Sequence, residues 1–182
     1  MFYSKLVTAF IASICLTGAV FAAPVKVVTI SDDFTSIAQS IGGKHVVVTS
    51  LITGSRNLHS INPKPSMVMM IKNADLLIRL GMSQDKWIDG LIHVAKNPNL
   101  FPGKQGYLDA STNIEKLEVP QGNIDGSMGD VHLHGNPHYW LNPKNGLVIA
   151  EQIKDQLILI DPDHARDYQA NYQNFSLALK AK

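Results

Sequence analysis

Residues 129–141, GDVHLHGNPHYWL, bring His132, His134 and His138 of the chain's seven histidines into one short segment. Neutral imidazole is the commonest protein ligand for zinc, with carboxylate or water completing the coordination shell. The HLH spacing can set two rings on one side of an extended chain. His59, in NLHSINP, lies in a second loop and is a further candidate ligand. The other three histidines point elsewhere. His45 begins a β-branched run, His93 falls in an amphipathic helix and His164 in the first turn of the last helix. Structural or solvent roles suit all three.

Other chemistries find little support. The chain has no HExxH, no G-x-S-x-G and no Walker A pattern. Its only cysteine, Cys15, lies in the N-terminal apolar segment, so the remainder has neither a thiol nucleophile nor a thiolate ligand. HLH is also the paired-histidine pattern of metal-dependent amidohydrolases. Those pairs sit early in a long (β/α)8 barrel, and too little sequence follows this one for such a barrel.

The N-terminal segment, MFYSKLVTAFIASICLTGAVFAAPV, has one basic residue, an uncharged apolar run and small residues before Pro24. That is the layout of a secretory signal peptide, with cleavage expected after Ala22. Acylation of Cys15 is not expected, because Ile14 precedes it and apolar residues continue beyond it. The apolar run is just long enough for an uncleaved anchor, but Thr8, Ser13, Thr17 and Gly18 weaken that alternative. Without Lys5 the chain carries 15 basic and 15 acidic residues. That balance gives no electrostatic case for binding nucleic acid or an anionic membrane.

The remaining chain must position the histidines. VKVVTI (25–30), HVVVTSLI (45–52), DLLIRL (75–80) and GYLDA (106–110) read as strands. Between them, SDDFTSIAQSIGG offers Ser31, Asp32 or Asp33 as an N-cap and a Gly42–Gly43 stop, and KPSMVMMIKNA opens with Pro65 in its first turn. Trp87, Ile88, Leu91, Ile92 and Ala95 recur at helical spacing, and 143–160 and the segment after Asp161–Pro162 read as helices. Residues 118–138 show no periodicity, which makes a loop of roughly twenty residues, a length that is commonly functional. Strand–helix alternation predicts an α/β fold with a mostly parallel sheet flanked by helices and a long final helix. Ligands of such sheets bind beyond the carboxyl ends of the strands. His59 and the 132–138 loop are therefore expected on the same edge.

Two segments resemble a known family. NLHSINPKPSMVMMIKNADLLIRLGMSQDKWIDGLI (57–92) and GNPHYWLNP (135–143) are similar to the two N-lobe signatures of the zinc/manganese-binding solute receptors of ABC importers. DPDHARDYQANYQNF (161–175) is similar to the start of that family's backbone helix. The resemblance implies two α/β lobes joined by a rigid helix, with the metal in the cleft between them. It makes His59 and His138 the metal ligands. His132 and His134 resemble the His-rich loops of zinc-specific members and are secondary candidates. Leu58 stands where many relatives have Pro or an acidic residue, so it supplies no carboxylate beside His59. The family's other two ligands belong to a second lobe.

The implied organisation is a signal peptide (1–22), an N-terminal metal-binding lobe (23–160) and the start of the inter-lobe helix (161–182). The implied function is a monomeric periplasmic receptor, not an enzyme, that captures Zn²⁺, with Mn²⁺ as the alternative, for a membrane permease. A metal-binding adhesin or buffer of the same fold and a zinc-dependent hydrolase are the competing readings. Two imidazoles leave coordination positions to water, so a lone lobe should bind weakly. Binding should weaken further below about pH 6, where imidazole takes up protons.

Overall fold

The computed structural model describes residues 23–54, 58, 61–122 and 132–182. The expected signal peptide with Cys15, and the candidate ligand His59, lie outside the described residues.

Four parallel strands form one sheet in the order β2-β1-β3-β4: β1 Val25–Thr29, β2 Val46–Ser50, β3 Leu76–Arg79 and β4 Tyr107–Asp109. The register pairs Val25 with Val46, Val27 with Leu76 and Leu77 with Tyr107. Five helices follow the pattern read from the sequence: α1 Asp32–Gly42, α2 Pro65–Lys72, α3 Trp87–Ala95, α4 Pro143–Ile160 and α5 Ala165–Lys180. The fold is thus the expected parallel α/β arrangement ending in a long helix. β1 passes to β2 in one direction across the sheet, while the chain moves through β3 to β4 in the other. Right-handed crossovers then place α1 on one face and α2 and α3 on the opposite face. α4 and α5 pack with α1, and α2 packs with α3.

The runs of the central strands β1 and β3 form because both their faces are covered, whereas the edge strand β2 leaves Val47 exposed. All four residues of β3 are buried, and in β1 only Lys26 reaches solvent. Such strands read as continuous apolar runs instead of alternating ones. α3 buries Ile88, Leu91, Ile92 and Ala95. These positions recur at the spacing that aligns one helical face, and burying each of the Ile and Leu side chains contributes about 1.5–3 kcal/mol. Ser31 precedes α1 with an extended backbone, but its side chain makes no capping bond. Its carbonyl instead accepts the first helical bond from Thr35 N–H at 3.0 Å.

The long final helix is preceded by a short 3₁₀ turn, Pro162–His164, and His45 likewise closes a 3₁₀ turn just before β2. The two rings stack with centroids 3.7 Å apart, and each meets a carboxylate. His45 Nε2 lies 2.6 Å from Asp167 Oδ2, and His164 Nδ1 lies 2.7 Å from Asp161 Oδ2. Tyr168, fully buried, donates its hydroxyl to the same Asp161 oxygen at 2.6 Å. The structural role read for these two histidines is thus to tie the start of α5 to the turn between α1 and β2. His93, on α3, sets its ring edge-on to Phe101 at 5.3 Å.

Candidate metal centre

The residues around His138 are arranged by the start of α4. Asn142 caps this helix by accepting Lys144 N–H at 3.0 Å, and Pro143 occupies the first turn, where its missing N–H costs nothing. Tyr139–Leu141 form a 3₁₀ turn directly before it, and Asn145 Nδ2 donates to the Tyr139 carbonyl at 2.9 Å. The buried Tyr139 hydroxyl crosses to the end of β3, donating to the Leu80 carbonyl at 2.6 Å. Burial, reinforced by the charges of Asp109 and Asp85, pushes the Tyr139 phenol well above its ordinary pKa, so it stays a neutral donor. Trp140 packs between Phe34 of α1 (6.5 Å between centroids) and His138 (5.4 Å). His138 therefore stands at the carboxyl edge of the sheet, on a turn pinned to β3 and packed toward α1.

Its ring is oriented as well. Asn136 Oδ1 accepts the His138 backbone N–H at 3.0 Å and lies 3.1 Å from Nδ1, while Asn136 Nδ2 donates to Glu118 Oε2 at 2.9 Å. A partner on Nδ1 selects the tautomer whose Nε2 can take a metal. A cavity of about 350 Å³ adjoins the ring, lined by Glu115, Leu117, Asn136, His138, Tyr139 and Leu141 among others.

His132 comes to the same place. Its ring meets His138 edge-on with centroids 6.4 Å apart, and its Nδ1 lies 2.8 Å from Gln84 Nε2. His134 sits on an exposed turn closed by a bond from Gly135 N–H to the His132 carbonyl. The structure thus joins two of the three loop histidines and leaves the third at the surface. Among the described residues no group of three or more His, Cys, Asp or Glu is arranged to hold a metal ion.

The turn carrying Gln84 was not visible in the sequence. Gly81, Met82 and Ser83 have φ of +77°, +48° and +66°. The turn holds because Asp85 Oδ2 accepts the Leu80 N–H at 2.7 Å and Asp85 Oδ1 pairs with Arg79 at 2.7 Å. Arg79 also reaches Asp89 at 2.7 Å and the Tyr107 hydroxyl at 2.9 Å. Burial opposes the Arg79 charge, but the hydrogen bond and charge of Asp85 outweigh it and hold the pKa above the usual guanidinium value. A Cβ on Gly81 would fall 2.0 Å from Asp109 Oδ1, so the close approach demands glycine. The only legible signal was an arginine inside an apolar strand run, with acids following at Asp85 and Asp89.

Comparison with known proteins agrees with this architecture. A crystal structure of ZnuA superposes with a TM-score of 0.69 at 22% identity, covering 87% of this chain and 55% of that one. The Mn-bound periplasmic metal-binding protein from Candidatus Liberibacter asiaticus gives 0.68 at 23% identity, covering 85% and 52%. Among curated proteins, iron-binding protein YfeA of Yersinia pestis is 29% identical over 86% of this chain and 46% of its own length. The manganese ABC transporter substrate-binding lipoprotein PsaA of Streptococcus pneumoniae is 30% identical over 80% and 45%. The chain thus spans under half the length of these curated relatives. The family model described as zinc-uptake complex component A, periplasmic, matches residues 27–182, and the chain belongs to that family.

Proposed function

We propose that this chain is the metal-capturing first lobe of an extracytoplasmic receptor that takes Zn²⁺ as cargo and passes it to the membrane permease of an ABC importer. The observation that carries the reading is the meeting of His138 and His132 at the carboxyl edge of the sheet, with His138 Nδ1 held by Asn136. Parallel α/β sheets place their ligands at this edge. In this reading His59 and His138 are the principal ligands, His132 stands beside His138, and His134 serves the outer loop. Residues 23–160 form the lobe, 161–182 begin the inter-lobe helix, and 1–22 are a cleaved signal peptide. The lobe acts as a monomer, binding without turnover.

Imidazole donors favour zinc, whereas manganese prefers oxygen ligands. Relatives named for iron and manganese belong to the same comparison, so the cargo is decided by experiment. The test is titration of the purified chain with Zn²⁺ and Mn²⁺. Zinc should bind more tightly than manganese, His59→Ala and His138→Ala should each weaken zinc binding more than His132→Ala, and His134→Ala should have little effect. A dominant loss in His132→Ala would overturn the ligand assignment, and tighter manganese binding would overturn the choice of cargo. A native mass spectrum of protein from the source cells reports leader cleavage, length and bound metal together.

A further inference from the structure

We propose that Gln84 is a positioning residue that holds His132 beside His138 as an additional imidazole donor to the captured metal, an inference that rests on the reading of this edge as a metal-capture site. Gln84 is only 8% exposed and sits 48 residues from His132 in sequence. A buried amide needs partners, and its contacts to this ring are 2.8 Å to Nδ1 and 3.5 Å to Nε2. The turn that delivers it is closed by hydrogen bonds. Three successive left-handed residues lead into Gln84, whose N–H bonds the Gly81 carbonyl at 3.0 Å, and Asp85 clamps the next position.

The geometry is close to that of shared ligation. Two imidazoles on one tetrahedral zinc, at Zn–N of about 2.0–2.1 Å, have ring centroids roughly 5 Å apart. The observed 6.4 Å needs a closure of roughly 1.4 Å, within reach of a surface loop. A side-chain amide presents either its NH₂ or its carbonyl toward a ring nitrogen. As placed, the Gln84 NH₂ faces Nδ1 and donates to it, which leaves the proton on Nε2; once the amide turns its carbonyl oxygen to accept Nδ1–H, His132 Nε2 becomes the metal-binding nitrogen, as Asn136 Oδ1 arranges for His138. Metal binding and the amide orientation are therefore coupled. His134, exposed on the outer turn, has no such holder among the described residues.

The experiment is a competition titration of the full chain against a chromophoric zinc chelator, with Co²⁺ absorption as a second readout. Gln84→Met loses the acceptor at similar volume, and Gln84→Glu keeps an acceptor that only accepts from Nδ1–H. Gln84→Met should weaken zinc binding by about 10–100-fold, the range for losing a partner of a metal-bound histidine. His132→Ala should match it, and Gln84→Met/His132→Ala should be no weaker than either. Gln84→Glu should bind at least as tightly as wild type, and the Co²⁺ band of Gln84→Met should lose intensity. Wild-type affinity in Gln84→Met, additive losses in the double variant, or a Gln84→Glu as weak as Gln84→Met would overturn the proposal. His138→Ala separates the two readings. If it weakens binding while Gln84→Met does not, only this inference fails; if the wild type takes up no zinc, the metal-capture reading fails with it.

Discussion

Tyr139→Phe isolates one bond between the histidine turn and the sheet. The phenylalanine keeps the ring packed edge-on against Trp140 at 6.0 Å and removes only the hydroxyl that donates to the Leu80 carbonyl. Tyr139 is 7% exposed, so water does not readily replace the lost donor. Leaving a buried acceptor without its partner costs about 1–3 kcal/mol. For a chain of this size, about 2 kcal/mol lowers Tm by about 4–8 °C. In urea the same loss moves the midpoint by about 1 M at a slope of about 2 kcal/mol/M, with the slope unchanged. The assay is urea unfolding of the metal-free chain followed by fluorescence, so that ligand stabilisation does not enter. A zinc titration of the same variant should show weaker binding, because the turn presenting His138 has lost its tie to β3. A change within about 0.5 kcal/mol, the range of ordinary surface substitutions, would refute the argument that this bond anchors the turn.

Asp85→Ala strips the buried Arg79 of its main counter-charge and the turn of its acceptor, and should cost about 3–5 kcal/mol in a denaturation midpoint. Gly81→Ala should be severely destabilising, since its Cβ would sit 2.0 Å from Asp109 Oδ1, whereas Gly54→Ala, at φ +73° but in open space, should cost only about 1–2 kcal/mol; equal losses by thermal melt would discredit the steric account. The hydrogen bond from His45, aided by the charges of His45, Lys44 and His164, holds the Asp167 carboxyl below its ordinary pKa against a smaller opposing desolvation. That contribution to stability is present above the ordinary carboxylate value and is lost as pH falls through the depressed one. In His45→Phe the Asp167 side-chain carbon resonance should titrate at higher pH than in wild type, and an unchanged titration would show that His45 is not the cause.

Strand and helix positions were legible because they are set by local apolar periodicity. The run VKVVTI becomes β1, and the recurrence of Ile88, Leu91, Ile92 and Ala95 becomes the buried face of α3. Alternation of the two element types implied a parallel sheet, and right-handed crossovers then limit which face each helix takes. The histidine cluster was legible as composition, and His138 by its resemblance to a family signature. Which histidines meet was not. His132 and His134 are two residues apart with identical chemistry, yet one packs on His138 and the other is exposed. His132 also meets Gln84, 48 residues away, on a turn of left-handed residues held by Asp85 and Arg79. The stacking of His45 on His164 is likewise a contact between the two ends of the described chain. Local pattern determines secondary structure because its forces act within a few residues. Long-range hydrogen bonds and ring contacts exist only once burial has brought distant segments together, so the tertiary structure alone decided them.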